Sequence, residues 1–245
     1  SINDKPNGKN INYNCGAVNT NSLSKKVVDE RADIGFAFDG DGDRLIIVDE
    51  KGKEIDGDKI IALFAKHLIK FNKNKLKYPI VSTVMSNIGL ENYILNKFKV
   101  NLKRSSVGDI NVIKEMQKYN SLLGGEQSGH IILSDYSKTG DGILAALKVT
   151  EIISKLKKCT SKIFDLYENS PQIKINIPYK KISKNTVNYI KNINKKKLKD
   201  KNMRLLIRLS GTEPLIRILV EGNDLNKVNT IAKNIEKNIR KKLGK

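Results

Sequence analysis

Between residues 56 and 157, short apolar runs of strand length alternate with stretches whose apolar residues recur every three to four positions. Ile60, Leu63, Phe64, Leu68 and Ile69 share one helical face. YPIVSTVM (residues 78–85) reads as a strand, with Ser86 as the cap of a helix that runs through Phe98. VNLKRSSVGD (100–109) gives a strand and a turn, and residues 110–119 give a helix. SLLGGEQSGHIIL (121–133) is strand, glycine-rich loop and strand, and Asp141 opens a helix to about Lys157. Strands that alternate with helices each bury one face against the other, so this region is expected to be an α/β layer domain.

The flanking regions have other patterns. Residues 22–31 read as a short helix capped by Ser22, and ADIGFAF (32–38) as a buried strand. LIIVDEKGKEID (45–56) is a second strand followed by a Lys-Gly turn, which signals a hairpin. Beyond Pro171 the order is strand, helix over 183–197, two strands joined by a tight loop, and a helix over 224–243 with Val228, Ile231, Ile235 and Ile239 inward. That order predicts a compact α+β unit with an antiparallel sheet.

An apolar content of 39% over 245 residues supports packed cores, and no apolar run reaches the ~18 residues of a membrane helix. Cys15 and Cys159 lie far apart, without metal or redox spacing, which fits a reduced, cytoplasmic setting. The net charge of +20 is concentrated in the lysine-rich residues 180–204, which read as a solvated helix and loop. Arginines are few and no nucleic-acid motif is present, so no specific nucleic-acid partner is expected. The positive field would draw phosphorylated ligands. The chain opens at Ser1 in Asn- and Gly-rich, loop-like sequence, so an N-terminal part is expected to be missing. With part of a domain core absent, the first ~50 residues are expected to be poorly held.

Three loops carry chemistry. In FAFDGDGDRLIIVDE (36–50), Asp39, Asp41 and Asp43 alternate with glycines at the end of an apolar run. Glycine lets the backbone bend so that alternate carboxylates converge, and hard cations such as Mg²⁺ prefer such oxygens. An EF-hand would need Gly where Arg44 stands, and its flanks would be helical. A polar turn without metal is the other alternative. Arg44 would offer a cation to a phosphate beside the metal. In GGEQSGH (124–130), Glu126 and Ser128 can bond sugar hydroxyls, and His130 can transfer a proton near neutral pH. A hairpin with a structural histidine explains the same residues. In RLSGTEPLIR (208–217), Arg208, Ser210, Gly211, Thr212 and Arg217 form a phosphate cradle that lacks the Gly-Lys-Ser/Thr ending of a P-loop.

Taken in this order, with PNGKNIN, VMSNIGLE, VGD and TGDGI between them, these loops resemble the α-D-phosphohexomutase family. GEQSGH and SGTEP are similar to its glucosamine branch. The resemblance implies interconversion of glucosamine 6-phosphate and glucosamine 1-phosphate through a phosphoserine and a bisphosphate intermediate. It implies Asp39, Asp41 and Asp43 as Mg²⁺ ligands, and Arg44 and His130 as catalytic groups. Glu126 and Ser128 would hold sugar hydroxyls, and Arg208, Ser210, Gly211, Thr212 and Arg217 the phosphate that is not transferred. Residues 1–53 would end the family's second domain, 54–168 form its third and 169–245 its fourth. No Ser-His-Asn-Pro-type loop is present, so the nucleophilic serine and a fourth metal ligand would come from a missing N-terminal half. Ile110 replaces the arginine that usually follows VGD, which removes a cation from the cleft. A non-catalytic phosphosugar-binding relative, or a phosphoglucomutase or phosphomannomutase, is the alternative. The partners expected are a phosphorylated hexosamine and the missing half, with no membrane.

Overall fold

A computed structural model describes residues 1–71, 78–195, 200, 203–211 and 213–244. The chain divides into two compact units, Ser1–Glu168 and Asn169–Lys245.

The first unit opens with α1 (Asn21–Asp29), which packs on an antiparallel hairpin of β1 (Ile34–Phe38) and β2 (Leu45–Asp49). Gly35 allows the close approach, since a Cβ there would lie 2.6 Å from Val27 Cγ2. The short β3 (Glu54–Ile55) adds to β2 and leads into α2 (Gly57–Phe71). A second sheet has the order β5-β4-β6-β7, built from β4 (Ile80–Thr83), β5 (Leu102–Ser105), β6 (Leu123–Gly125) and β7 (Ile131–Leu133). The first three run parallel and β7 antiparallel. The crossovers are α3 (Ile88–Phe98) and α4 (Asp109–Tyr119); α5 (Gly142–Leu156) and α6 (Thr160–Phe164) follow β7. Strand residues alternate between faces. Ile80 therefore enters the main core with Ile60, Leu63, Leu90 and Val149, while Val81 packs with Val112 and Met116 of α4 on the other side. Both faces are covered, as a parallel sheet requires.

The hairpin is not loosely attached. Leu45 and Ile47 are fully buried in the main core, the Thr160 hydroxyl donates to Asp33 O, and the Ser161 N–H donates to Glu50 at 2.9 Å. The expectation that the first ~50 residues are poorly held is therefore corrected for β1 and β2: their apolar side chains find partners within this unit. The expected boundary at 53/54 falls in the connection between β2 and β3.

Two expected caps also shift by one or two residues. Ser22 lies inside α1, whose capping position is Thr20. At α3 the cap is Asn87, whose side chain accepts from Gly89 N at 2.8 Å, while the Ser86 hydroxyl is buried against that of Ser82. The short α6 had no signal strong enough to stand out from its lysine-rich surroundings.

The second unit is a three-stranded antiparallel sheet, β8-β10-β9, formed by β8 (Gln172–Pro178), β9 (Met203–Leu209) and β10 (Leu215–Gly222). Helices α7 (Lys184–Lys195) and α8 (Leu225–Lys242) pack on one face, over Ile177, Ile207, Ile216, Ile218 and Val220. Within α8, Ala232 joins Val228, Ile235 and Ile239 in the core, and Ile231 sits at its margin. No helix among the described residues is long and apolar enough to cross a membrane.

One buried charge bears on stability. Asp58, on the first turn of α2, has no exposed surface; its Oδ2 accepts the Asn87 N–H at 2.8 Å. Burial, reinforced by the neighbouring Asp56, pushes its carboxyl from 3.8 up to about 7. The folded chain then binds this proton more tightly than the unfolded chain does. Its stabilising share is complete below the ordinary value and is lost as pH rises through about 7. Urea unfolding is expected to show stability falling across that window. Asp58→Asn should flatten the slope and gain stability relative to wild type at about pH 8. An unchanged slope in the variant would contradict the assignment.

Candidate active-site loops

The acidic loop joins β1 to β2 at the register Phe38↔Leu45, so residues 39–44 turn tightly. Gly42 adopts φ +72°, a conformation that an L side chain strains to reach, and its N–H donates to Asp39 O at 3.1 Å. Asp39 Oδ1 accepts the Arg44 N–H at 3.1 Å, which fixes the first carboxylate. Asp39, Asp41 and Asp43 each present an oxygen within 4.8 Å of the others. At that spacing each pair of charges repels by about 3 kcal/mol at an effective dielectric of ~20. Arg44 Nε, 3.4 Å from Asp39 and 3.8 Å from Asp43, offsets part of this. Asp43 Oδ1 is nevertheless buried without a hydrogen-bond partner among the described residues. A buried anionic oxygen in that position is costly unless a cation completes it. The donor set consists of hard carboxylate oxygens at short spacing, which fits a small divalent ion.

This loop is docked by its backbone onto the glycine-rich loop between β6 and β7. Arg44 and His130 form an antiparallel bridge, and the Leu45 N–H donates to Gly129 O at 2.9 Å. Gly129 has φ +97°, and a Cβ there would lie 2.3 Å from Leu45 O. The N-terminus of α5 closes the other side, where the Gly142 N–H donates to Gly42 O at 2.9 Å. A Cβ on Gly142 would lie 2.5 Å from Arg44 O. The start of α2 is fixed in the same way: the Gly57 N–H donates to Gln127 O, and the Gln127 amide donates to Asp56 Oδ2 at 3.1 Å.

The expected sugar-binding residues lie together on this base. Glu126 is 7% exposed; its Oε1 accepts the Gly108 N–H at 2.9 Å and its Oε2 the Ser128 hydroxyl at 3.3 Å. A carboxylate has four lone-pair sites, so it keeps acceptor capacity for a ligand. The VGD turn is thereby joined to the loop, and Ile110, one residue further along, is 60% exposed. His130 is 2% exposed, with Nδ1 3.0 Å from Asp43 Oδ2. The structure thus brings Asp39, Asp41, Asp43, Arg44, Glu126, Ser128 and His130 into one connected assembly. Sequence reasoning about side chains missed Gly57, Gly140 and Gly142, whose role is to admit backbone. The glycines of DGD (56–58) and TGDGI (139–143) were the available signal.

In the second unit, Arg208 and Arg217 sit directly opposite one another on β9 and β10. Like charges at that position are unfavourable. Burial, and then the neighbouring Arg217, holds the Arg208 guanidinium below its usual range. Nε of both is buried without a hydrogen-bond partner among the described residues. Arg217 Nη2 binds Glu213 Oε2 at 2.6 Å. The Ser210 N–H closes the loop on Leu215 O at 2.8 Å, and space around Gly211 is open. Thr212 lies outside the described residues. Paired guanidiniums with unused donors are suited to an anion.

Known proteins resemble this chain in sequence and in fold. Residues 56–170 match the phosphoglucomutase/phosphomannomutase alpha/beta/alpha domain III family, and residues 161–238 match the phosphoglucomutase/phosphomannomutase C-terminal domain. Phosphoglucosamine mutase of Fusobacterium nucleatum is 47% identical over 99% of this chain and 54% of its own length. That of Campylobacter jejuni is 43% identical over 99% of this chain and 54% of its own. The chain spans about half the length of the curated relatives it matches. Among solved structures, a Burkholderia thailandensis phosphoglucomutase/phosphomannomutase family protein shares the fold at TM-score 0.76 and 21% identity, over 90% of this chain and 49% of that one. Aspergillus fumigatus N-acetylphosphoglucosamine mutase, in complex with GlcNAc-6P and magnesium, shares it at TM-score 0.73 and 18% identity, over 97% of this chain and 55% of that one. With two domain types of one family matched in order over residues 56–238 and relatives similar along its whole length, the chain belongs to the phosphoglucomutase/phosphomannomutase family.

Proposed function

We propose that this chain supplies the metal, sugar and phosphate loops of a phosphoglucosamine mutase, which interconverts glucosamine 6-phosphate and glucosamine 1-phosphate in the cytoplasm. The observation that carries the reading is Asp43 Oδ1, buried without a hydrogen-bond partner among the described residues, within a carboxylate triplet docked on GEQSGH. Similarity to phosphoglucosamine mutases at 43–47% identity supports the choice of sugar.

In this reading Asp39, Asp41 and Asp43 hold Mg²⁺. When bound, the ion would neutralise charge on a transferring phosphoryl group. Arg44 stays close enough to the carboxylates to orient and share a phosphate oxygen. Glu126 and Ser128 accept from and donate to sugar hydroxyls on a base fixed by Gly108 and Gln127. Arg208 and Arg217, whose Nε atoms have no hydrogen-bond partner among the described residues, bind the other phosphate together with Ser210, Gly211 and Thr212 of the same sequence motif. The domain division at 53/54 and 168/169 belongs to the same proposal. The serine that carries the phosphoryl group, and the remaining metal ligand, belong to the half of the relatives' length that this chain does not span.

The test is turnover by the complete gene product: glucosamine 6-phosphate should be converted to the 1-phosphate faster than glucose or mannose phosphates are. Absence of interconversion with all three sugars would contradict the reading. Asp43→Asn in that protein should lower kcat about 10²–10³-fold, since metal stabilisation of the transition state is worth several kcal/mol. Arg217→Lys should raise KM about tenfold while largely sparing kcat, because a point charge replaces a two-pronged donor. Steady-state kinetics separates the two effects. The isolated 245-residue chain should show no turnover.

A further inference from the structure

His130 was expected to move protons, but its surroundings suit another task. The ring is 2% exposed. Nδ1 lies 3.0 Å from Asp43 Oδ2, and an ionised carboxylate only accepts, so Nδ1 is the nitrogen that carries hydrogen. Nε2 is buried without a hydrogen-bond partner among the described residues. A substrate group would have to pass packed atoms to reach it.

The ring is also fixed at its root and along its face. His130 O accepts the Glu126 N–H at 2.9 Å, and the residue bridges to Arg44. Gly140 lies flat against the imidazole: a Cβ there would be 2.2 Å from Cε1 and 2.5 Å from either ring nitrogen. The hydrogen bond from this held ring falls on the carboxylate whose other oxygen, Oδ1, is buried without a hydrogen-bond partner among the described residues. Fixing Oδ2 fixes where Oδ1 points.

We propose that His130 is a positioning residue for Asp43, pressed into place by Gly140, so that the GEQSGH loop sets the geometry of the metal site; this rests on the metal reading above. A group whose role is proton transfer would leave metal affinity alone. A group that orients a ligand oxygen changes it, by about 10–100-fold where such partners are removed.

The probe is Mn²⁺ titrated into the complete gene product and followed by electron paramagnetic resonance. His130→Leu is expected to weaken Mn²⁺ binding about 10–100-fold. His130→Asn places an amide N–H near the position of Nδ1 and should restore affinity close to wild type. Gly140→Ala keeps the histidine but displaces its ring, and should weaken binding as His130→Leu does, which keeps the test open should the leucine variant not fold. Wild-type affinity in both His130→Leu and Gly140→Ala would overturn the proposal alone. An asparagine variant as weak as the leucine variant would do the same. Absence of saturable Mn²⁺ binding by wild type would overturn the metal reading and the proposal together.

Discussion

Three carboxylates are held together at the end of a buried hairpin, and the surrounding backbone prevents them from separating. The repulsion among Asp39, Asp41 and Asp43 would be relieved by a small opening of the loop. Instead Gly42 bonds to Gly142, Leu45 to Gly129, and Asp43 to His130. The stability of the hairpin core and of the α/β layers is thus used to keep an electrostatically unfavourable arrangement in place. Such arrangements persist where the rest of the fold over-determines them, and they mark function.

The second unit does the same with the opposite sign. Arg208 and Arg217 face each other across β9 and β10 while the other face of that sheet fills with isoleucine and valine from Ile177 to Val220. The apolar face fixes the register, and the register fixes the two guanidiniums side by side. In both units, groups of one charge are gathered where a ligand of the other would neutralise them.

The sequence made part of this visible. The alternation of 2.0 and 3.6 periods over residues 56–157 indicated the layers, and the pattern beyond Pro171 indicated the antiparallel sheet, because each element buries one regular stripe. The loops were legible because glycine between polar residues has few structural explanations. What remained hidden was pairing at a distance. Nothing near Gly140 announces that it lies against His130, and nothing near Gly108 announces its bond to Glu126. Caps were misplaced at Ser86 and Ser22, because serine, threonine and asparagine compete for the same N–H groups over neighbouring positions. The attachment of residues 34–49 was underestimated because their partners, Thr160 and Ser161, lie more than a hundred residues away.

The central claim is that the acidic loop seats a divalent cation through all three aspartates. The most direct measurement is anomalous diffraction at the manganese edge from crystals grown with Mn²⁺. The account predicts a single strong peak about 2.1 Å from an oxygen of each of Asp39, Asp41 and Asp43. A loop whose carboxylates point apart, with no peak between them, would contradict it.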